Sequence, residues 1–219
     1  MERQNNVDEC AAEEYVEPEP IGFVIDFDET VTDEEVADNG YKRNLYIKTN
    51  AVAWAMAISN IAVEVDIVPH LSVTLPVYYS AWNYGTHKVK FRTLAFEPEL
   101  RAWLRGDNTG FFGGMHFGFA QYNMAIGGKF RYQDHDEVTP ALGGGLSLGY
   151  RHYLGHSRRW MMEFTVGAGA YRLHYDVFDN SSVPYGQKVD ERRKTFIGID
   201  NVGVTFIYAI PLHKKGGGR

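Results

Sequence analysis

A chain of 219 residues fits one domain of ordinary size, and 14% aromatic residues with 23 glycines favour an all-β barrel or sandwich. No window approaches the roughly eighteen uninterrupted apolar residues that a spanning helix requires, which excludes a helical membrane protein. The formal charge of −6 hides a division near residue 44, with fourteen Asp or Glu against Arg3, Lys42 and Arg43 before it and nineteen Lys or Arg against fourteen acids after it. No basic face with interleaved aromatics supports nucleic-acid binding.

The first segment, 1–44, is the acidic one. Glu13, Glu14, Glu17, Pro18, Glu19 and Pro20 form a stretch too charged and too proline-broken to build a core, so most of this extension is expected to be disordered. Within it, the run from Ile21 to Phe27 alternates weakly and has the pattern of a pairing strand or plug. Asp33, Glu34 and Glu35 lack partner ligands at a fixed offset and read as a solvated face rather than a metal site. Cys10 is the single cysteine, so no intrachain disulfide is expected. The first twenty residues show neither a basic start nor an apolar run of the kind that directs export.

From Leu45 the chain alternates between apolar and polar residues, with turn signals between segments. Strands are expected at 45–58, 61–67, 71–83, 89–104, 110–127, 139–154, 159–176 and 195–211, eight in all. The connections at 68–70, 106–109 and 155–158 are short. Those at 84–88, 128–138 and 177–194 are long. Short turns on one rim and long loops on the other match the asymmetry of transmembrane barrels, in which the short turns and both chain ends are periplasmic. Aromatic residues at strand ends, among them Trp82, Trp103, Tyr153, Trp160 and Tyr208, suit two interfacial girdles.

Parity within the strands decides which face looks outward, because side chains alternate across a sheet. In the fourth strand Leu94, Phe96, Leu100 and Ala102 share one face, and Thr93, Glu97, Glu99, Arg101 and Trp103 the other. In the seventh, Met162, Phe164 and Val166 oppose Glu163, Thr165, Gly167 and Tyr171. With the polar set inward, the lumen gathers Lys48, Arg101 and Arg151 against Glu64, Asp66, Glu97, Glu99 and Glu163. Three bases and five acids in so small a space must pair, because an isolated buried ion costs several kcal/mol. Glu97 and Glu99 are the candidates for acid/base chemistry. A structural cluster is favoured over it, because an eight-stranded barrel is only just wide enough for its own side chains and no substrate-sized cavity follows.

The last strand carries Asn201-Val202-Gly203-Val204-Thr205-Phe206-Ile207-Tyr208. This polar-first, Gly-third, aromatic-sixth-and-eighth pattern resembles the signal that outer-membrane barrels present to their insertion machinery, with Asn201, Gly203, Phe206 and Tyr208 as the reading positions. Val202, Val204, Phe206, Tyr208 and Ile210 are then expected to face lipid. Lys48-Thr49-Asn50 in the first strand, Asn60 to Glu64 in the second and Pro98-Glu99-Leu100-Arg101-Ala102-Trp103 in the fourth resemble the signatures of an uncharacterised outer-membrane barrel family of Bacteroidota. The resemblance covers about residues 45–212. It implies a small outer-membrane barrel, in some cases encoded beside fimbrial or surface-assembly proteins, and brings no catalytic residue.

The expected architecture is an all-β, eight-stranded antiparallel up-and-down transmembrane barrel over 45–212, with an acidic periplasmic extension at 1–44 and a basic tail at 213–219. Eight scattered histidines form no zinc spacing, and Asp134-His135-Asp136-Glu137 reads as a solvated loop tip rather than a cation site. Neither metal nor cofactor is expected. The function read from this is non-enzymatic: a monomer in outer-membrane lipid, folded by the insertion machinery, meeting surface or periplasmic proteins through the loops at 128–138 and 177–194. Two other classes stand against it. A lipid-modifying enzyme would draw on Ser157 and His156, which sit on the short-turn rim; a soluble lipocalin-like carrier would need a polar exterior and an apolar lumen.

Overall fold

The computed structural model of the chain describes residues 43–83, 88–181 and 186–212. The acidic stretch with Cys10 and the run from Ile21 to Phe27, and the tail 213–219, lie outside the described residues. The elements in chain order are β1 (Asn44–Asn50), α1 (Ala51–Ala55), β2 (Ser59–Val68), β3 (Leu71–Asn83), β4 (Val89–Phe96), β5 (Glu99–Trp103), β6 (Gly110–Ile126), β7 (Phe130–Asp134), β8 (Ala141–Tyr153), β9 (Trp160–Asp179) and β10 (Lys188–Pro211).

These strands form a closed antiparallel barrel of eight staves. The closing seam is β1 against β10, with Asn44 opposite Pro211 and Asn50 opposite Thr205, and β10 continues the wall into β9. Closure leaves no sheet edge along the wall.

β4 and β5 are one stave. Phe96 faces Val77 and Phe119, Glu99 faces Thr74 and His116, and the register carries through residues 97–98 unchanged. Pro98 and Pro76 cause the interruption, since neither can donate to the ladder. The gap is bridged by Glu97 N donating to Pro76 O at 3.3 Å and by Phe117 N donating to Pro98 O at 3.0 Å.

Three expected boundaries are corrected. Residues 51–58 do not extend the first strand: β1 stops at Asn50, whose side chain accepts from Val52 N and caps the short helix α1. Asn60 locks that corner by accepting from Asn50 N at 2.6 Å and donating to Asn50 O at 3.0 Å. Ala51, Ala53 and Ala55 then favour helix over strand. The predicted loop at 128–138 contains β7, which pairs Asn123 with Gln133 on one side and runs from Phe130 opposite Asp179 to Asp134 opposite Tyr175 on the other. The predicted loop at 177–194 is largely paired strand, because β9 and β10 stay paired from Phe164–Val204 out to Val177–Asp190, with one shift of register between Ile199 and Asn201. On this rim the wall therefore continues upward as a β7–β9–β10 sheet.

The glycines of β6 and β8 make the lumen. A methyl on Gly114 would occupy the space of the Glu99 carboxylate and Ser147 hydroxyl, and one on Gly145 would meet the Ala168 carbonyl and the His116 ring. Large polar side chains reach across the barrel because these positions leave the room.

Candidate functional site: a divided lumen

On the short-turn side the lumen is filled by ions. Lys48, Glu64, Glu99, Arg101, Arg151 and Glu163 are all buried, each from a different stave or from alternate positions of one. Lys48 Nζ lies 2.8 Å from Glu64 Oε2 and 2.9 Å from Glu163 Oε1. Arg101 reaches Glu163 at 2.9 Å, Glu64 at 3.2 Å and Glu99 at 2.6 Å. Arg151 donates to Glu64 at 2.6 Å and to Glu163 at 2.7 Å. Three cations meet three carboxylates, so the set is neutral and every member has a partner.

The rest of the shell is built to hold it. Ser72 and Ser147 donate to Glu64 and Glu99, and Trp103 Nε1 donates to Ser72 Oγ at 2.8 Å. The Arg151 guanidinium stacks 4.3 Å from the Trp103 ring and 4.8 Å from Tyr46, and Arg101 lies 4.5 Å from Phe112. Such planar contacts suit arginine and not lysine.

Two of the eight residues expected in the cluster stand apart from it. Asp66 accepts from Tyr46 Oη at 2.9 Å, Asn108 Nδ2 at 2.6 Å and Asn44 at 3.1 Å, with no cation in contact among the described residues. Glu97 sits higher, accepting from Asn201 Nδ2 at 2.8 Å and lying 3.9 Å from His116 Nε2. The expected excess of acid is thus resolved by separation rather than by pairing.

Above the ions the lumen opens, against expectation, into a cavity of about 750 Å³. Its wall is aromatic, with Tyr78, Phe91, Tyr122, Tyr171 and Phe196 among the lining residues. At its floor His116 Nε2 lies 2.8 Å from Asp200 Oδ2, beside Glu97 and Asn201. Charged side chains with Tyr46, Trp103 and Phe112 fill the lower half. The space above exists because Gly118, Ala120, Ala95 and Ala141 put small residues on the wall and because β1 ends early.

Asp200 was not among the residues singled out from the sequence. A bulge in β10 between Ile199 and Asn201, opposite Ala168 and Gly167, turns both Asp200 and Asn201 into the lumen and reverses the parity above it. Below the bulge Gly203, Thr205, Ile207 and Ala209 are buried while Val202 and Phe206 are exposed; above it Ile197 and Ile199 are exposed and Phe196 lines the cavity. An adjacent Asp-Asn pair inside an apolar alternation is the trace that such a bulge leaves in a sequence.

The four positions of the last-strand signal lie on β10: Gly203 buried, Asn201 on the cavity floor, and Phe206 and Tyr208 on the outer wall at the closing seam, with the Tyr208 ring 5.0 Å from Trp160. His156 and Ser157 are exposed on the short-turn rim.

On the outer surface of the β7–β9–β10 extension, His135, His174 and Glu191 bring their ligand atoms within 4.8 Å of one another, as do His135, Asp136 and Asp176. These are the residues that could hold a cation. The Lys188 ammonium already lies 2.8 Å from Asp176 and 3.2 Å from Glu191 and offsets part of their charge. Of the expected solvated tip, Asp134 is in fact buried.

Burial pushes the Asp176 carboxyl up, but Lys188, His135 and the Asp136 N–H outweigh it and hold the group at about 2. A carboxylate held below its unfolded value stabilises above that value and loses the contribution as pH falls through the folded one. Protection of the amides in the β7–β9–β10 sheet, taken relative to their intrinsic exchange at each pH, is therefore expected to fall between about pH 4 and pH 2. In Asp176→Asn that fall should be absent. An equal fall in both proteins would show that Asp176 does not pin this sheet.

Among known proteins, the chain matches one family model over residues 31–210, that of Protein of unknown function (DUF3575). The match begins inside the acidic segment rather than at residue 45. No curated protein and no solved structure matches the chain.

Proposed function

The chain belongs to the DUF3575 family of proteins of unknown function, and we propose that it is a non-enzymatic β-barrel of the bacterial outer membrane with a structural or surface-interaction role. One observation carries the reading: the ionic lower lumen is wrapped in an apolar outer wall. Across neighbouring staves Val65 stands beside Val73, Val73 beside Leu100, Leu100 beside Met115 and Met115 beside Leu146. Farther round, Leu148 stands beside Val166 and Val166 beside Val202. All of these are exposed.

So continuous an apolar belt is far beyond what a monomer leaves in water. It has limits. Phe111, Tyr150 and Trp160 ring the short-turn side, and Tyr79 stands on the outer face toward the other. Beyond it the outward positions of β9 and β10 become Arg172, His174, Asp176, Glu191 and Arg193. This sequence of apolar belt, aromatic ring and ionic outcrop suits a wall crossing a bilayer with its β7–β9–β10 sheet in water. No helix of the described residues is long and apolar enough to cross a membrane, so the strands would do so.

On this reading the partners are outer-membrane lipid, the barrel insertion machinery and surface or periplasmic proteins, and the protein is a monomer. The resemblance to barrels encoded beside fimbrial and surface-assembly proteins makes the upper sheet the natural contact surface. Replacing Phe206 and Tyr208 together by Ser removes two aromatic side chains from the outer wall at the seam. The variant is expected to be lost from the membrane fraction, measured by fractionation and by the gel mobility of folded against heated protein. Normal insertion of the double variant would remove the seam from the account, and solubility of the wild type without detergent would end the membrane reading.

A further inference from the structure

The cavity above the ions has the dimensions and chemistry of a ligand site rather than of slack packing. Its volume of about 750 Å³ falls in the range of roughly 300–1,000 Å³ usual for small-molecule pockets, which are mostly apolar with a few convergent polar groups. Here the convergent groups are acceptors. Glu97 and Asp200 line the floor, where Glu97 accepts from the Asn201 amide and Asp200 meets the His116 ring and the Tyr171 hydroxyl. Asp200 Oδ1 and Tyr122 Oη are buried with no hydrogen-bond partner among the described residues. Lys194 is the single Lys or Arg among the described lining residues.

That inventory selects the ligand's charge. An anion would face two carboxylates at the floor. A neutral hydrocarbon would fill the aromatic space but leave the buried acceptors unmet, which costs free energy that a donor would recover. A cation satisfies both surfaces, because ring faces attract positive charge and the carboxylates complete its neutralisation. We propose that the upper lumen binds an amphipathic organic cation, with its ammonium group at Glu97 and Asp200 and its apolar body against Tyr78, Phe91, Tyr122 and Tyr171.

The site belongs to the barrel itself and does not depend on where the barrel resides. The test uses the full chain in a non-ionic detergent, with the gel mobility of folded against heated protein as the check on folding. Benzyltrimethylammonium, a water-soluble probe, is titrated calorimetrically beside phenylacetate, which has the same ring and opposite charge. Saturable binding of one cation per chain is expected, with phenylacetate weaker by about tenfold or more. The Glu97→Gln, Asp200→Asn double variant should lose at least about tenfold in affinity for the cation. Ala120→Phe fills the cavity without altering charge and should abolish binding, which keeps the test decisive if the double variant does not fold. Phenylacetate binding as tightly as the cation, no saturable binding in folded protein, or unchanged binding in Ala120→Phe would each overturn the assignment.

Discussion

Replacing Arg151 by Met destabilises the barrel by roughly 3–5 kcal/mol, the cost of leaving buried carboxylates without their cation. Arg151 is 1% exposed, touches both Glu64 and Glu163, and stacks on Trp103 and Tyr46. Its removal leaves two cations for three acids at the centre of the network. The measurement is the urea midpoint in detergent, followed by tryptophan fluorescence. By contrast Arg105, on the rim 3.4 Å from Asp107 with both side chains exposed, should change stability by no more than about 1 kcal/mol when replaced by Met. Similar small effects at both sites would mean that the inner ions are hydrated and individually dispensable.

The second large effect is on the outer wall. Leu148 is 68% exposed in the apolar belt, between Gly113 and Val166. In a bilayer, Leu148→Arg is expected to cost about 2–4 kcal/mol, because an arginine on the lipid face must be desolvated or drag water inward. Thr195→Arg, outward on β10 beside Arg172 above the belt, should change stability by less than about 1 kcal/mol. Refolding into lipid vesicles, with urea unfolding of both variants, measures the difference. In water an exposed leucine can become arginine within about half a kcal/mol. Equal behaviour of the two variants in vesicles would therefore place the belt outside lipid.

Much of this architecture was legible because a period of two is hard to disguise. The alternation of Glu99, Arg101 and Trp103 against Leu100 and Ala102 specifies one buried and one exposed face, and the burial pattern of β5 follows it residue by residue. The inward charges were legible for the same reason. What parity could not reveal was height along the barrel axis. Glu97 and Glu99 share a face, yet Glu99 is tied to Arg101 and Ser147 while Glu97 lies one step higher with Asn201. A list of inward residues collapses those levels into one, which is why a single charge cluster was expected and the cavity was not.

The remaining differences come from local chemistry overriding the pattern. Residues 51–58 continue to alternate weakly, but the Asn50–Asn60 clasp and a run of alanines turn them into a helix. Residues 177–194 carry charges at spacings that read as loop, yet they pair, with the Lys188 ammonium held between the Asp176 and Glu191 carboxylates. The bulge at Asp200 obeys neither parity, and only its polar doublet marks it.

The interlocked guanidinium and carboxylate layer also bears on transport. Six side chains that satisfy one another fill the lower lumen among the described residues, and a hydrated ion passing that way would have to pull the layer apart. Among these residues the lumen is a cup rather than a pipe: a guest seated in the cavity rests on an ionic floor and would pass no farther without breaking its pairs.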